Sequence, residues 1–172
     1  MQRCVDALKQ WTGKATVSLV YDSKVDPFTG AGLFNKVKGK GNIAIIATTT
    51  DGDVFGGFYN VVVTEQDKFI DDPNLFIFSY ESHGQSTTPH KFVVKKEKKG
   101  CAVVKFQKNH PGGVFAALYV AHDSGFLLGN DQSEVCFAFE PSGFECTGNT
   151  TPTGKNFGVL LPCCRLVAIQ LR

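Results

Sequence analysis

Residues 41–59 constrain the fold of this chain more than any other stretch: an apolar run, an Asp-Gly pair, then glycines set between aromatics. Ile43, Ala44, Ile45, Ile46 and Ala47 follow one another without a polar break, the pattern of a strand buried on both faces. Thr48, Thr49 and Thr50 extend it with β-branched side chains. Asp51-Gly52 supplies the φ > 0 pair of a two-residue type I′ hairpin. The return segment is Val54-Phe55-Gly56-Gly57-Phe58-Tyr59. Glycine weakens a strand, so two in succession predict close backbone approach, a bulge or a sharp bend. The stretch therefore sets an antiparallel core.

The rest of the chain arranges itself around that hairpin. Cys4, Ala7, Leu8 and Trp11 fall at helical spacing, predicting a short amphipathic helix that Gly13 ends. Residues 17–21 read as a strand. Asp26 before Pro27 predicts a second helix, with the carboxylate as cap and proline in the first helical position. Phe28, Leu33, Phe34 and Val37 supply its apolar face and Gly39 its stop, although Gly30 and Gly32 each cost about 1 kcal/mol relative to alanine. Residues 75–80 are strongly strand-like. Residues 92–95 and 101–106 flank a lysine-rich segment, 96–100, that reads as a charged hairpin loop. Residues 114–120, 135–140, 143–146 and 165–171 complete a series of short strands. Two early helices followed by many strands predict a mainly β (α+β) fold, an antiparallel two-sheet β-sandwich flanked by two short N-terminal helices. One domain over residues 1–172 is the simplest division.

Composition removes several function classes. Fifteen phenylalanines against one methionine and one tryptophan imply a rigid aromatic interior rather than a pliable groove. A net charge of +2 from 18 basic and 16 acidic residues is too even to argue for nucleic acid binding on charge alone. The first eleven residues lack the apolar core of a signal peptide, and no run reaches membrane-spanning length. A cytoplasmic protein without membrane insertion is expected, with the nucleus as the other compartment open to it. Asn149-Thr150-Thr151 is then a chance sequon. Cys4, Cys101, Cys136, Cys146, Cys163 and Cys164 are expected to be thiols rather than a disulfide framework.

No catalytic constellation stands out. Cys-x-x-Cys is absent, and His83, His90, His110 and His122 lie far from the cysteines in sequence, so neither metal nor cofactor is expected. Cys163-Cys164 are neighbours whose side chains would point to opposite faces of a strand. His122-Asp123-Ser124 contains the letters of a hydrolytic triad, but such geometry comes from distant segments, and Asp123-Ser124-Gly125 reads as a turn. Asp51 and Asp53 lack the spacing of a calcium loop. Gly39-Lys40-Gly41 follows a helix and precedes a strand, the reverse of a phosphate-binding loop. Lys36, Lys38 and Lys40 with Lys95, Lys96, Lys98 and Lys99 form two basic clusters, read as solvated lysines that resist edge pairing.

The chain resembles the TLDc family, the domain of oxidation-resistance proteins. The resemblance is carried by Leu19-Val20-Tyr21-Asp22-Ser23, by Asp26 with Phe28, and by Leu33-Phe34-Asn35-Lys36-Val37-Lys38-Gly39-Lys40. Asn42-Ile43-Ala44-Ile45-Ile46 and Leu75-Phe76-Ile77-Phe78-Ser79 continue it, and Thr49-Thr50-Asp51-Gly52-Asp53-Val54-Phe55-Gly56-Gly57-Phe58 is its most specific part. Residues 125–131 and 133–139 look like the family's glycine-containing loop and following strand. Residues 157–171 stand where its closing strand should be, with Pro162-Cys163-Cys164 in place of the usual ending. The resemblance implies a helix-flanked sandwich, protection from oxidative stress, and engagement of the vacuolar proton-pumping ATPase. It supplies no catalytic residues. Asp51, Gly52, Phe55, Gly56, Gly57 and Phe58 are then fold determinants, and the expected function is a non-enzymatic interaction module with a protein partner such as pump subunits. One alternative is a thiol-based peroxide scavenger using Cys101, which follows the lysine-rich segment, or Cys163. A nucleic-acid-binding regulator built on the lysine clusters is the other.

Overall fold

The computed structural model describes residues 2–81, 88–108, 114–120, 124–129, 134–138, 143–145 and 160–172. In chain order these form α1 (Gln2–Thr12), β1 (Val17–Asp22), α2 (Gly30–Val37), β2 (Ile43–Thr49), β3 (Val54–Tyr59) and β4 (Ile70–Asp71). Strands β5 (Phe76–Glu81) and β6 (His90–Val93), a 3₁₀ helix (Lys96–Cys101) and β7 (Ala102–Phe106) follow. The last four are β8 (Val114–Val120), β9 (Ser124–Gly129), β10 (Glu134–Ala138) and β11 (Leu160–Leu171).

All pairings are antiparallel, and the strands make two layers. The first sheet runs β1-β11-β2-β3-β5-β6 and the second β4-β7-β8-β9-β10-β11. Strand β11 belongs to both: Leu160, Leu161 and Pro162 pair with β10, and Cys163 to Gln170 pair with β2. A register shift between Cys163 and Arg165 marks the handover. Such a bulge bends a strand enough to pass from one layer to the other.

Alternation along the strands explains why residues 43–47 are apolar throughout. Ile43, Ile45 and Ala47 face the second sheet, whereas Ala44 and Ile46 face α1, which lies across the outer side of the first sheet. Cys4 and Leu8 of α1 close that outer layer. Between the sheets, Phe55 meets Phe126 edge-to-face at 6.0 Å, and Phe34 of α2 meets Phe106 at 5.6 Å. The phenylalanine-rich composition thus becomes an interlocked interior, each fully buried ring contributing about 1.5–3 kcal/mol. The β-sandwich with two N-terminal helices predicted from the sequence is the fold observed.

Local expectations are corrected in five places. The hairpin loop holds three residues, not two: Thr48 pairs with Val54, Thr49 N–H donates to Asp53 O at 2.9 Å, and Gly52 N–H donates to Thr49 O at 3.1 Å. Only Gly52 has positive φ (90°), so this is a turn closed by a glycine bulge rather than type I′. Asp53 N–H bonding to Thr49 Oγ1 at 3.0 Å favours the longer loop.

Helix α2 begins after Thr29, not Asp26; Thr29 Oγ1 accepts from Gly32 N–H at 3.0 Å. Asp26 is drawn instead to Asp22 N–H (3.0 Å) and to Lys36 Nζ (2.8 Å). The two helical glycines are there for proximity, since a Cβ would overlap Phe115 at Gly30 and the Pro27 carbonyl at Gly32.

Residues 96–100 are no hairpin loop. β6 pairs with β5 in the first sheet and β7 with β8 in the second, so the 3₁₀ helix carries the chain between layers. Residues 124–129, read partly as turn and partly as glycine-containing loop, form β9, where Gly125 lets the chain lie against Leu118 and Tyr119. Around Phe144 the predicted strand reduces to a single bridge with Val94. The Asp123 part of the predicted turn, and residues 130–131, 139–140 and 146, lie outside the described residues.

Candidate functional site: a lysine-lined cleft

Where α1 ends, the outer side of the first sheet is left open. Gly13, at φ 69°, donates its N–H to Lys9 O at 2.9 Å and turns the chain away, so Lys14 stands at the rim. The helix covers the sheet as far as Trp11, whose ring meets Phe76 edge-on at 6.1 Å, and Phe76 stacks on Phe58 at 4.8 Å. Beyond Trp11 lies a cleft of about 600 Å³ bounded by the end of α1, by β6 and by the 3₁₀ helix. Lys14, Lys91, Lys96 and Lys99 line it, and Glu145 is its only acidic wall residue among the described residues.

Lys91 sits deepest of the four. It lies on the outward side of β6, with its ammonium 4.4 Å above the Phe76 ring and bonded to Trp11 O at 3.4 Å. Burial pulls its pKa down. The carbonyl belongs to the last turn of α1, where the helix dipole is negative, so the lysine answers an electrostatic need of the helix end. None of the four lysines makes an ion pair among the described residues. Lys36 and Lys68 elsewhere do, with Asp26 and Glu65.

Two buried carboxylates brace the scaffold. Asp72 accepts from the backbone N–H groups of Asn60 (2.5 Å), Val61 (3.3 Å) and Asn74 (3.1 Å), fixing the loop segments behind the cleft. Asp22 takes a two-pronged contact from Arg165, at 3.1 Å to Nε and 2.5 Å to Nη2, tying β1 to β11. The Arg165 guanidinium holds its carboxyl below the usual range.

The residues singled out in the sequence fall elsewhere. Asp51 and Gly52 form the loop, and Phe55 and Phe58 are core. Gly56 lies under the Ile45 carbonyl, and Gly57 opens space for Leu118 of the second sheet. Cys101 is exposed at the end of the 3₁₀ helix. Cys163 is buried, donates to Arg165 O at 3.1 Å, and has its pKa pushed up to about 11 by burial. Cys164 is exposed, as alternation requires. No three metal-ligating side chains cluster among the described residues. His83, His110, His122, Asp123 and the sequon lie outside them.

The two basic clusters are divided differently from the expectation. Lys96 and Lys99 join Lys14 and Lys91, whereas Lys36 pairs with Asp26 and Lys40 bonds to Lys36 O at 2.8 Å. Lys14 and Lys91, single lysines in ordinary sequence context, gave no signal; only the packing of α1 against β6 makes them neighbours.

A family model described as the TLDc domain matches residues 2–111. The chain belongs to the TLDc family. The match runs from α1 through β7 and includes the specific hairpin segment of β2 and β3. It also contains every lysine of the cleft, while β8 to β11 and Glu145 lie beyond it. No curated protein matches the chain. No helix among the described residues of this TLDc domain is long and apolar enough to cross a membrane.

Proposed function

We propose that this TLDc domain is a non-enzymatic interaction module of the cytoplasm that acts in oxidative-stress protection and in regulation of the vacuolar proton-pumping ATPase, through contact with cytosolic pump subunits. The observation that carries the reading is the cleft: four lysines without ion-pair partners among the described residues, set beside Trp11 on a braced sheet. Cationic side chains on a rigid scaffold are suited to recognition by charge complementarity and offer no nucleophile–base pair for turnover. The pump part of the reading is tested by affinity capture with purified cytosolic subunits. Retention of at least one subunit is expected, and recovery of none removes that part.

Cys101 supports a second reading, a peroxide-reactive thiol, because it is exposed beside Lys98 and Lys99. Peroxide treatment followed by peptide mass spectrometry tests it. Oxidation of Cys101 no faster than that of a free thiol ends it. Cys163, buried with a raised pKa, lacks the thiolate character this chemistry needs.

A further inference from the structure

Building on the interaction-module reading, we infer that the cleft receives an acidic, extended segment of a partner protein, with its carboxylates on Lys14, Lys96 and Lys99 and an apolar side chain against Trp11. The charge of the site is the first argument. Four lysines against Glu145 leave a local excess of positive charge in a chain whose total is only +2. The excess is therefore concentrated here rather than spread over the surface. Lys91 is partly desolvated at the base of the cleft, with a carbonyl and an aromatic face as its contacts among the described residues. An arriving carboxylate nearby offsets that cost.

Chemistry at the walls favours carboxylates over phosphate. Phosphate sites centre on helix N-termini, backbone amide nests or arginine forks, to which lysine adds a point charge. Here the cleft meets the C-terminal end of α1, whose carbonyls repel a compact polyanion, and its cations are lysines spaced over α1, β6 and the 3₁₀ helix. Separate point charges suit separate side-chain carboxylates. A single-stranded nucleic acid would need exposed aromatic faces for its bases. Phe58 and Phe76 are 5% and 3% exposed, which leaves Trp11 as the only aromatic ring with room for a contact among the described lining residues.

Trp11 is the sole tryptophan, so its emission reports directly on the cleft. The probe is a ten-residue peptide of alternating glutamate and leucine, with its glutamine counterpart as control, titrated at low salt. The expected result is a saturable change in Trp11 emission with the glutamate peptide only, weakening as salt screens the lysines. The Lys96→Glu/Lys99→Glu double variant should bind about tenfold more weakly. Lys98→Glu, outside the cleft, should match the wild type, and circular dichroism checks that each variant is folded. Should the double variant not fold, Lys14→Glu takes its place with the same expectation. The inference is overturned if the glutamate peptide gives no change, if the charge-reversed variant binds it equally, or if only inorganic phosphate or an oligothymidylate responds. Pump-subunit capture reads the parent proposal separately: retention by wild type and charge-reversed variant alike would overturn the cleft while leaving the module reading standing.

Discussion

Replacing Gly56 and Gly57 singly by alanine probes the paired glycines, because the same methyl group meets different surroundings at adjacent positions. At Gly57 the added Cβ lies 2.8 Å from Leu118 Cδ2 and 3.3 Å from Phe126 Cδ1, side-chain atoms that can rotate aside. The strain is about 1–2 kcal/mol and is partly offset by about 0.4–1 kcal/mol from a stiffer unfolded chain. At Gly56 the Cβ overlaps the Ile45 carbonyl oxygen, comes 3.0 Å from its carbon and 2.8 Å from Phe78 Cζ. Ile45 belongs to the neighbouring strand at the centre of the first sheet, so backbone must move and the β2–β3 ladder opens. A cost of about 3 kcal/mol, the top of the overpacking range, is expected. At about 2–4 °C per kcal/mol for a chain of this size, Gly56→Ala should melt about 6–12 °C below wild type and Gly57→Ala within about 6 °C of it. Thermal melts followed by circular dichroism in one buffer decide the matter. A Gly56→Ala melt within about 2 °C of wild type, or a reversed order of the two variants, refutes the close-approach argument.

Three other outcomes are expected. Asp72→Ala strands the N–H groups of Asn60, Val61 and Asn74 and should cost about 2–4 kcal/mol in urea unfolding, with Asp72→Asn intermediate because one acceptor remains. Asp22 and Asp26 have folded pKa values lowered from 3.8, first by Arg165 and by Lys36 respectively. Their contribution is therefore complete above about pH 4 and is lost as pH falls through the lower folded values; unfolding midpoints should be flat in this respect from pH 7 to 5 and fall more steeply below 4 in wild type than in Asp22→Asn. In native protein, iodoacetamide should label Cys101 and Cys164 well before Cys4 and Cys163, whose thiols are buried with pKa values pushed up to about 12 and about 11; peptide mass spectrometry reads the order.

The elements legible in the sequence were those whose signal is local and periodic. The 3.6-residue spacing of Cys4, Leu8 and Trp11 defines α1, and the apolar run 43–47 announces a strand covered on both faces, as sheet and helix do cover it. The hairpin loop was legible in place but not in length, because Asp51-Gly52 serves either turn and the Thr49–Asp53 side-chain bond decides. The charged segment 96–100 carried no sign that its flanking strands belong to different sheets, since hairpins and layer crossings share the same polar composition. The cleft was the least legible feature. Lys91 and Lys14 are distant in sequence, and their partnership arises only when α1 stops at Gly13 above the outward side of β6.

The most direct test of the cleft as the meeting point with a partner is amide hydrogen exchange on the protein alone and saturated with the pump's cytosolic subunits. Protection confined to residues 11–14 and 91–99 is the predicted result. Protection on the far side, where Phe69 is exposed beside Tyr119 and Lys105 on the second sheet, with the cleft unchanged, would contradict it.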